Sequence, residues 1–160
     1  MAAKPQQQKK STPVLQNKKA YFDYFIDKTY EAGIVLQGTE VKSLRQGNAN
    51  FTDAFAFLKN GEVFLKDFYI KEFEFGTYTN HEPRRIRKLL LNKDEIDKID
   101  RAVSQKAMTL LPLKVYFKKG LAKVLLGVAR GKKQYDKRAS LAEKDAKREV
   151  SRRMKDAVKQ

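Results

Sequence analysis

The chain has no cysteine and no tryptophan, and a single histidine among its 160 residues. Without cysteine there is no disulfide, no thiolate zinc ligand and no thiol nucleophile, which is compatible with a reducing compartment. No apolar run approaches the roughly 18 residues of a membrane span, and the N-terminus lacks the apolar core of a signal peptide. A soluble, cytoplasmic protein that does not enter membranes is the expectation. The lone His81 has no Ser or Cys partner nearby and cannot by itself hold zinc, so it reads as an ordinary turn residue able to donate a hydrogen bond. Carboxylates are scattered, and the pair Asp94/Glu95 is explained by a helix dipole. The stretch Gly127-Val128-Ala129-Arg130-Gly131-Lys132-Lys133 lacks the spacing and the Ser/Thr of a phosphate loop. No catalytic set, metal set or cofactor motif emerges, and an enzyme is the disfavoured class.

Acid is scarce at both ends. The net charge is +16, and residues 1–20 carry five Lys without one acid. Residues 130–160 carry twelve Lys/Arg against five Asp/Glu, whereas residues 21–129 carry eighteen against fourteen. A mixed surface would suffice for solubility, so this distribution points to a polyanionic partner. Nucleic acid leads and an anionic membrane surface follows. The membrane is disfavoured because the tail's apolar stripe lacks Trp, Phe or several Leu.

Residues 1–16, with Pro5, Gln6 to Gln8 and Pro13, bury almost nothing and read as a disordered basic arm. Tyr21 to Leu36 is rich in aromatic and β-branched residues, broken at Asp27-Lys28, and predicts one bent strand or two short ones. Thr39 as N-cap and Gly47 as a left-handed stop bracket a short helix with Val41 and Leu44 on its buried face. Phe51 to Ile70 alternates on both sides of Asn60-Gly61, a type I′ hairpin signal, and strand character continues through Phe73 and Phe75. Ile86 to Leu91 predicts a buried strand edged by basic residues. Asn92 and Glu95 form a capping box for an amphipathic helix over 93–105. Leu113 to Phe117 and Leu121 to Val128 form a last hairpin. The sum is a mainly β fold: a closed six-stranded antiparallel barrel with two or three short flanking helices over residues 17–130. The tail, 131–160, shows a capping-box pair Ser140/Glu143, i,i+4 pairs Glu143/Lys147 and Glu149/Arg153, and a thin stripe from Ala139 to Met154. It is expected to be disordered when free and helical on a polyanionic surface.

Two clusters suggest nucleic-acid contact. Arg84, Arg85, Arg87 and Lys88 stand beside Asn92 and Tyr78, cations for phosphates next to groups that meet bases. The alternative is a solvated rim. Glu31 either faces water or reads a base edge by accepting from amino and imino groups. At the root of the tail, Lys132, Lys133, Lys137 and Arg138 surround Tyr135. That is either a basic linker or an aromatic that stacks while cations hold the backbone.

Three motifs in order, Gly33-Ile34-Val35-Leu36-Gln37-Gly38-Thr39-Glu40-Val41-Lys42-Ser43-Leu44-Arg45, Arg87-Lys88-Leu89-Leu90-Leu91 and Gly131-Lys132-Lys133-Gln134-Tyr135-Asp136-Lys137-Arg138, resemble the SsrA-binding protein (SmpB) family across roughly Asn17 to Arg138. The resemblance implies a barrel of oligonucleotide-binding type and a non-enzymatic, cofactor-free role. The barrel would clamp the tRNA-like domain of transfer-messenger RNA (tmRNA). The tail would lie in the decoding centre and empty mRNA channel of a stalled ribosome's small subunit, so that the incomplete chain is tagged for proteolysis. The elongation factor Tu complex would be met through tmRNA, and the protein is expected to act as a monomer. By the same resemblance Glu31, Leu90 and Asn92 bind RNA; Arg45 and the basic cluster Arg84, Arg85, Arg87 and Lys88 are the further candidates for RNA contact. Asp136, Lys137 and Arg138 act in tagging after RNA binding, and Tyr135 stands at a stacking position. The competing class is a basic ribosomal or nonspecific nucleic-acid-binding structural protein.

Overall fold

A computed structural model describes residues 15–76 and 80–158, so residues 1–14 of the basic arm, and Tyr78, lie outside the described residues, whereas Leu15 and Gln16, expected within that arm, form a short strand. The frame is three long strands: β2 (Tyr24–Ile34), β8 (Thr109–Lys118) and β9 (Leu121–Gly131). Between β2 and β8 in the chain come β3 (Ala49–Asn50), β4 (Phe55–Lys59), β5 (Glu62–Lys66), β6 (Tyr69–Ile70) and β7 (Arg87–Leu90), and β1 (Leu15–Gln16) precedes them all. The hydrogen-bonded order β8-β4-β5-β7-β2-β9 returns to β8, because β8 and β9 also pair, and every pairing is antiparallel. Six strands thus form a ring. β1 adds to β8 through Leu15↔Val115, and β3 and β6 form a separate two-stranded ladder.

Turn chemistry fixes this register. Asn60 and Gly61 take φ of 53° and 73°, the type I′ geometry whose twist matches a hairpin, and Lys119 and Gly120 do the same between β8 and β9. The break foreseen at Asp27 is a bulge that shifts the β2–β9 register between Ile26 and Lys28, leaving one bent strand. Four expectations are corrected. Tyr21 to Asp23 belong to helix α1 (Lys18–Asp23), where Asn17 Oδ1 accepts from the Ala20 amide at 3.2 Å and Ala20 packs on Leu111 and Leu113. β4 begins only at Phe55, because Asp53 at φ 64° turns the chain just before it. Phe73 and Phe75 extend no strand. A turn from Phe73 to Gly76 is held there by the Asn80 amide, which donates to both carbonyls at 2.8 and 3.0 Å. Thr39 is not an N-cap: helix α2 (Gly38–Arg45) starts from Gln37, and the Thr39 hydroxyl lies 2.9 Å from His81 Nδ1.

The ring is filled by Val63, Leu65, Phe68, Leu89, Val115, Val124 and Leu126, with Leu44 of α2 and Ile99 of α3 (Lys93–Gln105) closing on it. A smaller cluster lies on the other face of β8 under α1, which is why Leu110 to Leu113 read as a continuous apolar run. Gly127 is required there, since a Cβ would stand 2.7 Å from the buried Leu113 side chain.

Where the sequence points to a tail ordered only on a partner, the structure carries one helix, α4 (Gln134–Val158), of 25 residues and with no buried residue. Its start is set by Asp136, whose Oδ2 accepts from the Lys133 amide at 3.2 Å. Ser140 therefore lies inside the helix, donating to the Asp136 carbonyl at 2.9 Å, and is not a cap. The i,i+4 pairs Glu143–Lys147 and Arg153–Glu149 close at 2.9 and 2.6 Å.

Candidate nucleic-acid interface

The register of three pairings draws one row across the outside of the ring. Leu90 of β7 lies opposite Gly33 of β2, Gly33 opposite Lys123 of β9, and Lys123 opposite Tyr116 of β8. Side chains two apart on a strand share a face, so Glu31 joins this row from β2, Val35 from just past its end, Lys88 from β7 and Lys118 from β8. Their inward neighbours Ala32, Ile34, Leu89 and Val124 are buried, and Leu90 is 53% exposed. At Gly33 the row dips, and a Cβ there would come within 3.3 Å of Leu90 Cβ.

Glu31 is held rather than loose. The Tyr116 hydroxyl donates to its Oε2 and the Lys118 ammonium lies 3.4 Å from its Oε1. The Tyr116 bond foremost, helped by Lys118 and the Lys123 charge, lowers the Glu31 carboxyl from its ordinary value against the opposing effect of desolvation. Burial, reinforced by Glu31, pushes the Tyr116 phenol up to about 12. Near neutral pH the pair is therefore an ionised carboxylate accepting a hydrogen bond from a neutral phenol. The carboxylate keeps free lone pairs toward solvent, which suits a base edge presenting N–H groups.

The basic cluster divides. Arg84 is exposed, with its guanidinium 5.7 Å from the Tyr69 ring centroid. Lys88 is exposed and pairs with Glu62 at 2.8 Å. Arg87, expected at the rim, is fully buried: Nε donates to Glu40 at 2.6 Å, Nη1 to the Phe68 carbonyl at 2.5 Å and Nη2 to the Pro83 carbonyl at 3.1 Å. Burial lowers the Arg87 guanidinium from its ordinary value, and Glu40 works against that shift. Arg85, half-buried, donates to the other Glu40 oxygen. Both arginines thus fasten α2 to the strand entrance. Glu40, Ser43 and Leu44 make the buried face of α2, while Val41 is only half-buried. His81, expected in an open turn, is buried as well, with Nε2 donating to the Ile70 carbonyl at 2.9 Å.

Asn92 is exposed just past Leu90 as the N-cap of α3, where its backbone amide donates to Glu95 at 3.2 Å. Arg45 lies at the end of α2, 5.6 Å from the Phe117 ring centroid. Glu31, Leu90 and Lys88 therefore share one surface, with Asn92 at its edge, and Arg87 leaves it. Tyr116, Lys118 and Lys123 belong to it and were missed. The signal available was alternation, since each is in phase with the outward positions of its strand.

At the tail root, Tyr135 is 65% exposed and Lys133 and Arg138 also face solvent. Lys132, Asp136 and Lys137 turn inward: the Lys132 ammonium stands 5.0 Å from the Phe25 ring centroid and Lys137 pairs with Asp23 at 3.3 Å.

Comparison with known proteins fits this arrangement. A family model described as SmpB protein matches residues 14–156. An SsrA-binding protein of Bacillus cereus (strain ATCC 10987 / NRS 248) is 56% identical over 146 residues, covering 91% of this chain and 94% of its own. One from Nocardioides sp. (strain ATCC BAA-499 / JS614) is 58% identical over 146 residues, covering 89% and 92%. A solved structure described as "tmRNA-SmpB: a journey to the center of the bacterial ribosome" contains a chain 56% identical, with a TM-score of 0.65, covering 76% of this chain and 86% of that one. With the family model and these relatives spanning ring and tail alike, the chain belongs to the SmpB family.

Proposed function

We propose that the chain is a non-enzymatic, cytoplasmic RNA-binding adaptor of trans-translation. It binds the tRNA-like domain of tmRNA and brings it, with elongation factor Tu, to ribosomes stalled without a stop codon. The ring of strands acts as a closed barrel of oligonucleotide-binding type, presenting Glu31, Leu90, Lys88 and Asn92 to RNA, with Arg45 and Arg84 elsewhere on the same domain. The tail occupies the decoding centre and the empty mRNA channel as a helix. The observation that carries this reading is the division of the molecule: a ring that buries its core, joined to a 25-residue helix that buries nothing. Beyond its root such a helix is stabilised by little besides its own turns and ion pairs, which suits a segment that docks on a partner's surface.

Deleting residues 131–160 tests the division. Binding of tmRNA in a filter or mobility assay stays within about twofold, since the cut removes only the Gly131 end of β9 and the Lys132 and Lys137 bonds to Asp23 and leaves the buried core and the outward row in place. Peptide tagging in a reconstituted translation system is lost. Truncation that abolished RNA binding would overturn the reading, as would truncated protein that still supports tagging. A basic structural protein would instead bind duplex DNA as readily as the folded RNA.

Glu31 gives a second test. Glu31→Gln replaces one acceptor oxygen by a donor and lowers tmRNA affinity by about 1–3 kcal/mol, the scale of one good base contact. Tyr116→Phe removes only the hydroxyl that orients the carboxylate and produces a smaller loss in the same direction. Equal affinity for wild type and Glu31→Gln in a titration would remove Glu31 from the interface.

A further inference from the structure

The octapeptide Gly131–Arg138 divides by direction, and the inward half converges on one residue of the ring domain. Asp23 is the last residue of α1. Its backbone carbonyl accepts from the Lys132 amide at 2.8 Å, and its carboxylate pairs with the Lys137 ammonium at 3.3 Å. The Lys132 ammonium meets the carbonyl of Tyr21, also in α1, at 3.4 Å and the Ser140 hydroxyl at 3.0 Å. Asp136 starts the helix by accepting from the Lys133 amide. Strand β9, the turn and the first two turns of α4 are thus fastened to α1 by bonds from both backbone and side chains. Beyond Ser140 the described residues of the helix are all exposed.

A carboxylate at the last residue of a helix faces the negative end of the helix dipole and is disfavoured unless a cation stands by. Lys137 supplies that cation, which gives Asp23 a reason to be there only when α4 is docked. Both partners are partly shielded, with side-chain exposures of 31% for Lys137 and 22% for Asp23. Tyr135 and Arg138, on the same turns, point away and remain free.

We propose that Asp23 is a positioning residue for the tail: through Lys137 and the Lys132 backbone it fixes the direction in which α4 leaves the ring. Asp136 and Lys137 then act in tagging by setting the start and the heading of the helix, whereas Tyr135 and Arg138 are the groups left to touch the ribosome. A helix 25 residues long swings its far end through many ångströms for a small change at its root, so the heading decides whether it enters a channel. The inference rests on the proposed function for its consequence but not for its geometry.

Absence of native cysteine allows a clean distance measurement. Spin labels at Lys59→Cys on the ring and Met154→Cys on α4 give a narrow distance distribution in the full-length chain. Asp23→Asn, which keeps size and backbone, broadens that distribution and lowers tagging about fivefold, the scale of a partly shielded ion pair, with tmRNA affinity unchanged. The exchange Asp23→Lys with Lys137→Asp narrows the distribution again and tags better than either single variant. A broad distribution in the parent, or a narrow one in Asp23→Asn, overturns the latch. Broadening without a change in tagging overturns its role in positioning. Should the 131–160 deletion still tag while the labels report a narrow, Asp23-dependent distribution, the proposed function fails and the latch stands.

Discussion

Glu40→Ala is expected to cost about 3–5 kcal/mol of folding stability, because it strands a fully buried guanidinium without its counter-charge. Glu40 and Arg87 are both completely withdrawn from solvent, and Arg85 closes on the same carboxylate. Against a typical domain stability of about 5–15 kcal/mol the loss is a large share of the whole. It reads out as a lower urea midpoint at unchanged slope. The contrast within the protein is Lys88–Glu62, where side-chain exposures of 44% and 46% leave the charges in water. Glu62→Ala should therefore cost no more than about 1 kcal/mol. Equal effects for Glu40 and Glu62 would refute the assignment of Glu40 as the buried anchor of α2.

The same site separates structure from recognition. Replacing the pair together, Glu40→Leu with Arg87→Met, removes both charges from the interior and recovers much of what either single substitution loses. Because Arg87 spends its donors on Glu40, Phe68 and Pro83, the double variant should keep its tmRNA affinity once folded. Had Arg87 belonged to the RNA surface, affinity would fall with it.

Arg87 also shows what sequence could and could not convey. The hairpins announced themselves because Asn60-Gly61 and Lys119-Gly120 carry backbone requirements few other sequences meet, and the helix over 93–105 because its cap and its apolar spacing agree. Arg87 misled because arginine is almost always a surface residue, and three further cations around it look like a patch. The phase was nonetheless legible: Arg87 alternates inward with Leu89, while Ile86, Lys88 and Leu90 alternate outward. Glu40 stands one turn before Leu44 on the buried face of α2, so a salt bridge between two in-phase charged positions could have been written down. What no local pattern supplies is the ring register. Tyr116 meets Glu31 because β8, β9 and β2 lie side by side at one particular offset, a property of pairs of residues 85 positions apart. The tail was hard for another reason: its anchor is Asp23, whose role depends on α1 being a helix where aromatic content predicts a strand.

Salt should separate the two ends of the molecule more sharply than any single substitution. Neutralising phosphates releases condensed counterions, and a protein engaging about 6–10 of them loses about 10³–10⁵ in affinity between 50 and 200 mM salt. The ring has cations to do this, since Lys88, Lys118 and Lys123 lie on the outward row and Arg45 and Arg84 are exposed elsewhere on the same domain, although Glu31 and Glu62 offset two of them. Residues 130–160 carry twelve further cations against five acids. If the tail is kept for the ribosome, its charges do not enter the tmRNA equilibrium, and the logarithmic slope is the same for the full chain and for the chain lacking 131–160. If the tail instead lies along tmRNA, each phosphate contact it makes adds nearly one to the slope, and truncation flattens the plot visibly. Two titration series, with and without the tail, therefore decide which RNA the tail serves: parallel lines assign it to the ribosome, and converging lines at high salt assign it to tmRNA. A flat response in both series would refute the electrostatic account of the ring's surface altogether.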